Sequence, residues 1–503
     1  MKMSEFIKVI VNGEPRQVRS GSLLSDIIGG EKPCGGHGKC GKCKVAASGR
    51  LSAPSEAERE CLSREELAAG IRLACCTKAE GDCEVKSLAS VSETQIVTGG
   101  KQIEFEVDPT FKCYGAAIDV GTTTLAARLY DAKGNLLAET SRLNPQSGFG
   151  ADVISRIEAA IGGGAEALAR SIRGAIDEIV SQLASDAGID SKSIDRVAVT
   201  GNTVMLSLLA LEDTEPFSHA PFEAKRLFGE ALTAQELELS ALLPETEVYL
   251  PPCISAFVGA DTVCALLATG LSEKDGAMLV DIGTNGEMAI CFGGKLTVCS
   301  TAAGPAFEGV GISMGMRGAA GAIDKVTLLN GAPHSHVIGG GKAIGICGSG
   351  LVDAAACMLD AEIIDETGAL DDDPFLLPDG VSLTSQDIRM LQLAKSAICA
   401  GLLTLIVNAG LEPEDISMLY IAGGFGNYLN KKSAAKIGLL PCALARNSET
   451  VGNAALAGAS MMILNASLKE RAQLIASRAE VLELSTNKDF SEHFMMGMML
   501  EEV

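Results

Sequence analysis

Asp119-Val120-Gly121-Thr122-Thr123 and Asp281-Ile282-Gly283-Thr284-Asn285 each end an apolar run in a carboxylate followed by a small, hydroxyl-rich turn. Phosphate oxygens take hydrogen bonds from backbone N–H groups, which come close only where side chains are small. A Gly-Thr turn permits that approach, the Thr hydroxyls add donors, and the Asp can hold Mg²⁺ directly or through water. A single such turn also closes ordinary hairpins. Two in register, 162 positions apart (281 minus 119), read as a facing pair of phosphate clamps.

A second chemistry lies nearer the N-terminus. Between Pro33 and Cys43, three cysteines (Cys34, Cys40, Cys43) sit among glycines with five and then two residues between them, and Cys75 follows after 31 more. Three close thiolates and one distant suit a [2Fe–2S] cluster, whose sulfides accept hydrogen bonds from a glycine-rich backbone. Tetrahedral zinc would usually show two C-x₂-C pairs, and one is present. Cys75 is the preferred fourth ligand because it follows Arg72-Leu73-Ala74, with Cys76 as the alternative. Cys61 and Cys83 read as ordinary thiols, and His37 as a polar loop residue.

Further residues fit a nucleotide. Glu287, and Glu308 in Ala303-Gly304-Pro305-Ala306-Phe307-Glu308, are acids beside glycine turns that either orient a water against a γ-phosphate or cap helices. Cys347-Gly348-Ser349-Gly350 enters a helix, suited to an anion or to close packing. Gly423-Gly424, after an apolar strand, offers a side-chain-free surface for adenine or ribose. Asp152 reads as a helix cap or a site residue with equal force.

The elements that must position these groups repeat. After each Asp-Gly-Thr comes a strand, a glycine turn and a third strand: Leu125 to Tyr130 and Leu136 to Thr140, then Glu287 to Phe292 and Leu296 to Ser300. Two related halves are implied. Residues 5–19 read as a hairpin through Asn12-Gly13, Ser22 to Ile28 as a helix, and Ser63 with Glu66 as the capped start of another ending at Gly70. Residues 87–112 read as a linker with one strand around Ile103, Phe105 and Val107, 165–184 as an amphipathic helix, and 215–252 as a proline-rich excursion. The Met-rich stretch Phe494 to Met499 reads as core packing ahead of an adaptable contact surface.

Composition bounds the class. The 503 residues, 47% hydrophobic, suffice for about three domains. A net charge of −23 argues against sequence-independent nucleic-acid binding. The N-terminus lacks a signal peptide's apolar core and no unbroken apolar run reaches membrane length, so a cytoplasmic protein without a membrane partner is expected. Sixteen cysteines in such a chain are reduced thiols or metal ligands rather than disulfides.

Residues 1–86 resemble a plant-type β-grasp ferredoxin, with five residues instead of four in the first gap. The order Asp-Gly-Thr, Asp-Gly-Thr, Gly-Gly resembles the phosphate-1, phosphate-2 and adenosine motifs of the ASKHA superfamily of acetate and sugar kinases, actin and heat-shock chaperones. Together they resemble the reductive activators of corrinoid proteins, the RACo and RamA group of ATP-dependent activases, with the cluster at the RACo end. The resemblance implies an α/β protein with an α+β β-grasp ferredoxin domain (1–86), a linker (87–112) and a duplicated actin-like, ribonuclease-H-like ATPase body (113–275 and 276–503). It implies Cys34, Cys40, Cys43 and Cys75 on a [2Fe–2S] cluster; Asp119, Gly121, Thr122, Thr123, Asp281, Gly283, Thr284, Asn285, Gly304 and Gly348 on phosphates and Mg²⁺; Gly423 and Gly424 on adenosine; and Glu287 or Glu308 as catalytic acid. The implied activity is ATP-dependent one-electron reduction of a corrinoid protein from Co(II) to Co(I), with a low-potential electron donor and a dimeric enzyme. A small-molecule kinase with a redox sensor, a dehydratase activator, and a non-catalytic electron-carrying module are the alternatives.

Overall fold

The computed structural model describes residues 6–28, 38, 41, 43–87, 98–329, 331–378 and 380–503. Cys34, Cys40, His37 and residues 88–97 of the expected linker lie outside the described residues. Contacts group Met1–Glu93 with Pro145–Leu168 as one unit and Thr94–Asn144 with Ala169–Val503 as another.

In the first unit Asn12 (φ 51°) and Gly13 (φ 92°) turn strand Phe6–Val11 back into Glu14–Arg19. Alternation buries Ile7, Val9 and Val11 on one face. Phe6–Val11 also pairs in parallel with Lys78–Ser87, which pairs antiparallel with Lys44–Leu51, and that strand with Ile71–Leu73. The expected helix begins two residues late, at Leu24, because Ser22–Leu23 is drawn into the sheet against Lys78 and Ala79. Two short helices carry full capping boxes, Ser55 with Glu58 and Ser63 with Glu66. Asp152 is a cap: its carboxylate accepts the Ser155 N–H at 2.8 Å, starting helix Val153–Ala159.

The second unit contains two six-stranded mixed sheets. In the first, Tyr114–Val120, Thr124–Asp131 and Leu136–Leu143 form an antiparallel run, with Ile194–Gly201 parallel to Tyr114–Val120 on its other side. In the second, Ala277–Ile282, Gly286–Phe292 and Lys295–Thr301 do the same, with Met418–Ala422 parallel to Ala277–Ile282. The 215–252 segment contributes strands Glu230–Thr233 and Glu247–Leu250 to the edge of the first sheet.

Helices Ala260–Thr269 and Ala454–Leu464 are buried almost throughout and pack on each other. They cross so closely that a Cβ on Gly458 would lie 2.0 Å from the Cys264 carbonyl oxygen, so a side chain there would drive them apart. Their last carbonyls explain the missing strand at 103–107. Ile103 N–H bonds to Ala268 O and Asp108 N–H to Leu464 O, both at 2.8 Å, so the segment caps helix C-termini in place of pairing with a sheet.

Helix Ser385–Asn408 is long and apolar enough to cross a membrane by composition, yet 78% of its most apolar window is buried inside the protein, where a core helix belongs. The C-terminal methionines depart from the core reading: Met495 and Met496 are 66% and 75% exposed, while neighbouring Phe494 packs on the core. Helix Lys488–Met496 lies on the surface, and its apolar run is longer than its one covered face.

Candidate functional site

Each Asp-Gly-Thr turn follows an interior strand of its own six-stranded sheet. Asp119 pairs in register with Thr200 and Asp281 with Ala422, so each carboxylate emerges where its strand gives way to a turn. Gly121 N–H closes the first turn on Thr124 O at 3.0 Å, and Asn144 clamps it by donating from its side chain to Gly121 O at 2.8 Å and from its backbone to Thr123 O at 2.9 Å. In the second turn Gly283 N–H bonds to Asn285 O at 3.0 Å, and Gly304 N–H supports Thr284 O at 2.9 Å.

Both turns open onto one cavity of about 280 Å³. It is lined by Asp119, Gly121, Thr122, Thr123, Asp281, Gly283, Thr284, Asn285, Glu287, Glu308, Gly348, Gly423 and Gly424, which brings together every sequence-predicted nucleotide residue except Gly304. Gly304 stands behind the wall, bracing Thr284. Glu308 accepts the Thr284 hydroxyl at 2.8 Å, so it orients that donor, and Glu287 faces the cavity. Gly348 lines the cavity and is also packed, since a Cβ there would sit 2.1 Å from Phe307 O.

Asn202, Asn453 and Asp261 are among the polar lining residues that escaped the sequence reading. Asn202 and Asn453 are N-caps whose side-chain oxygens accept from Met205 N–H at 2.9 Å and Leu456 N–H at 2.8 Å. Each then spends its amide NH₂ on the site, Asn202 on the Thr122 hydroxyl at 3.1 Å and Asn453 on the Asp119 carboxylate at 2.9 Å. Asp261, in the first turn of helix Ala260–Thr269, is the third. The available signal was an Asn or Asp just before or inside the first turn of an apolar helix, which also describes an ordinary cap.

The electrostatics are one-sided. Asp119, Asp261, Asp281, Glu287, Glu308 and Asp324 line the cavity, against Arg317 as the single Lys or Arg among its described lining residues. Loss of water pushes Asp119 and Asp281 up to about 7, helped for both by the Asp261 charge and opposed at Asp119 by the Asn453 amide. Desolvation also raises Asp261 to about 6 and, with Asp261 and Asp281, drives Glu287 well above the carboxylate range. Among the described residues no group of three or more His, Cys, Asp or Glu is arranged to ligate a metal by itself. A divalent cation that arrives with phosphate oxygens and keeps part of its water fits such a wall, as Mg²⁺ does.

Beside the acids lies an apolar end. Phe307 and Phe425 stack at 4.5 Å and 15°, and Phe425 follows the Gly423-Gly424 turn. Gly423 has φ +91° and a Cβ there would lie 2.5 Å from the Asp281 carboxylate oxygen. Gly423→Ala is therefore expected to displace Asp281 and weaken ATP binding at least about tenfold, roughly 1.4 kcal/mol, by calorimetry. Gly424→Ala, which meets nothing within 4 Å, is expected to have a smaller effect.

In the first unit Cys43 Sγ lies 3.2 Å from Cys75 Sγ, and Cys75 Sγ 3.6 Å from Cys76 Sγ. Two thiolates sharing a tetrahedral metal with bonds of roughly 2.3 Å stand about 3.7 Å apart, so a pair of these thiols, such as Cys43 and Cys75, fits one iron of a cluster. The Cys75 hydrogen bond lowers Cys43 to about 6, and the same contact, with burial, raises Cys75. Cys61 donates to Gly38 O at 3.1 Å, and Cys83 belongs to the sheet's core.

Mixed sheets meeting at an acid-lined cavity with two Gly-Thr turns define an ASKHA-type domain. Residues 275–503 match the family model for the C-terminal domain of RACo, the ASKHA domain, and residues 114–274 that for the RACo middle region. The chain is 36% identical over 441 residues to the corrinoid activation enzyme RamQ of Eubacterium limosum, covering 80% of this chain and 73% of that protein. It is 28% identical over 415 residues to the Co(II) methylated amine-specific corrinoid protein reductase of Methanosarcina barkeri, covering 76% of each. A solved structure, the reductive activator for corrinoid,iron-sulfur protein, aligns with a TM-score of 0.73 at 29% identity over 99% of this chain and 98% of that one. This chain belongs to the RACo family.

Proposed function

We propose that this protein is an ATP-dependent activase that returns a corrinoid protein from Co(II) to Co(I) by one-electron reduction. The observation that carries the reading is the pairing, in a chain of this family, of an acid-lined cavity between two Gly-Thr turns with a thiol cluster on a separate unit. An ATPase and an electron carrier share a chain usefully when nucleotide assists an uphill electron transfer.

Residues 1–86 act as the ferredoxin domain and 87–112 as its connection. Residues 113–275 and 276–503 act as two copies of one ribonuclease-H-like unit. Cys34, Cys40, Cys43 and Cys75 hold the [2Fe–2S] cluster, which when bound supplies a single low-potential electron. Asp119 and Asp281 hold Mg²⁺ through its water. The backbone of Gly121 and Gly283 with Thr122, Thr123, Thr284 and Asn285 takes the phosphates, and Gly423-Gly424 with Phe425 seats adenosine. Glu287 and Asp261 orient the attacking water, and Glu308 fixes Thr284. Closure of the two sheets on nucleotide changes the affinity for one state of the corrinoid protein, because a ligand shifts an equilibrium only through differential affinity. The partner on the donor side would be a low-potential electron carrier, in a cytoplasmic, anaerobic setting, and the enzyme would be dimeric.

ATP hydrolysis measured with additions tests the reading. A Co(II) corrinoid protein is expected to raise the rate several-fold, and sugars or carboxylic acids to leave it unchanged. Phosphate transfer to a small molecule, with no response to corrinoid protein, would replace this reading by a kinase.

A further inference from the structure

Successive side chains of a strand point to opposite faces, yet Cys75 and Cys76 carry their sulfurs to within 3.6 Å of each other. They do so because strand Ile71–Leu73 ends in a tight turn. Leu73 O accepts both Cys76 N–H and Thr77 N–H at 3.0 Å, and Ala74 N–H bonds to Cys43 O at 2.8 Å. The turn is pinned from below by the Thr77 hydroxyl on Glu58 at 2.8 Å. Cys76 Sγ meets Gly38, which lies in sequence between Cys34 and Cys40. A Cβ on Gly38 would stand 2.7 Å from that sulfur, and Gly38 has φ +70°. The Cys61 thiol holds the Gly38 carbonyl. Cys76 is thus fixed beside one assigned ligand and against Gly38.

We propose that Cys76 is a reserve ligand for the cluster, placed to take over the fourth position when the Cys75 thiolate is lost. The inference rests on the cluster reading above. In the exchange one Fe–Sγ bond to Cys75 is replaced by one to Cys76, the Cys76 thiol proton passes to solvent, and no electron moves. The incoming sulfur travels no further than the separation of two neighbouring thiols, and the turn keeps its backbone bonds.

Full-length Cys75→Ala, Cys76→Ala and Cys75→Ala/Cys76→Ala proteins, reconstituted anaerobically with iron and sulfide, test this by iron and sulfide content and by visible and paramagnetic resonance spectra. Cys75→Ala is expected to retain about as much iron and sulfide as the wild type, with a shifted resonance spectrum. Cys76→Ala is expected to keep the wild-type spectrum, and the double variant to lose the cluster. Cys75→Ala as colourless as the double variant, beside a coloured wild type, would overturn the proposal. A wild type that itself takes up no cluster would overturn the cluster reading instead. Should alanine upset the turn, near-isosteric Cys75→Ser decides: an all-thiolate spectrum supports Cys76, and serine-oxygen ligation excludes it.

Discussion

Asp119→Asn/Asp281→Asn is expected to abolish MgATP binding and, at pH 8, to raise the melting temperature of the nucleotide-free protein. Both effects come from one cause. The cavity faces six carboxylates with one guanidinium among its described lining residues, and lost hydration pushes Asp119 and Asp281 up to about 7 from about 3.8. A carboxyl that binds its proton more tightly folded than unfolded costs no stability below its unfolded pKa. It costs progressively more as pH rises from about 4 to 7, and the full amount above that. Asparagine removes the charge, so the gain belongs at pH 8, about 2–5 °C in melting temperature, and shrinks toward zero below about pH 4. The same acids repel a bare triphosphate. ATP affinity is therefore expected to fall on the order of 100-fold, about 2.7 kcal/mol, in the wild type when Mg²⁺ is chelated. A double variant that binds MgATP as the wild type does, or that is less stable at pH 8, contradicts this account of the cavity.

Glu58→Ala is expected to give the largest loss of stability in the first unit and to strip its cluster. The Glu58 carboxylate is wholly buried and receives Arg72 Nε at 2.8 Å and Nη2 at 3.0 Å, the Thr77 hydroxyl at 2.8 Å, Leu73 N–H at 3.1 Å and Ser55 N–H at 2.9 Å. These partners flank Cys75 and Cys76. Removing one partner of a buried ion pair leaves the other charge uncompensated, at about 3–5 kcal/mol. Burial alone would raise Glu58, but Arg72, Ser55, Thr77 and Leu73 together hold it at about 2 against an ordinary 4.5. Its contribution is therefore complete above about pH 4.5 and lost as pH falls through 2. Urea unfolding of the full chain followed by cluster absorbance checks both parts: Glu58→Ala should shift the midpoint strongly at pH 7 and lack the acid-dependent loss between pH 4.5 and 2. A midpoint within about 1 kcal/mol of wild type would show that the pair does not anchor the Cys75 turn.

What could be read from the sequence was local. Asp119-Val120-Gly121-Thr122 and Asp281-Ile282-Gly283-Thr284 announce themselves because strand, acid and turn are contiguous, and Cys43 and Cys75 because few other structures use that spacing. Asp261, Asn202 and Asn453 stayed hidden because each first looks like a helix start. The close crossing permitted at Gly458 helps bring helices 260–269 and 454–464, distant in sequence, together near the cavity. The strand expected at 103–107 failed for a related reason, since carbonyls of helices distant in sequence took the N–H groups of Ile103 and Asp108 at its two ends. Met495 and Met496 show the opposite error: apolar composition was taken for burial on a helix with one covered face.

The most direct test follows the Co(II) absorbance of a corrinoid protein mixed anaerobically with this protein and a chemical reductant. Loss of the Co(II) signal on adding MgATP, and not before, is the result expected. Identical traces with and without MgATP would mean that nucleotide plays no part in delivering the electron, and the account would be wrong.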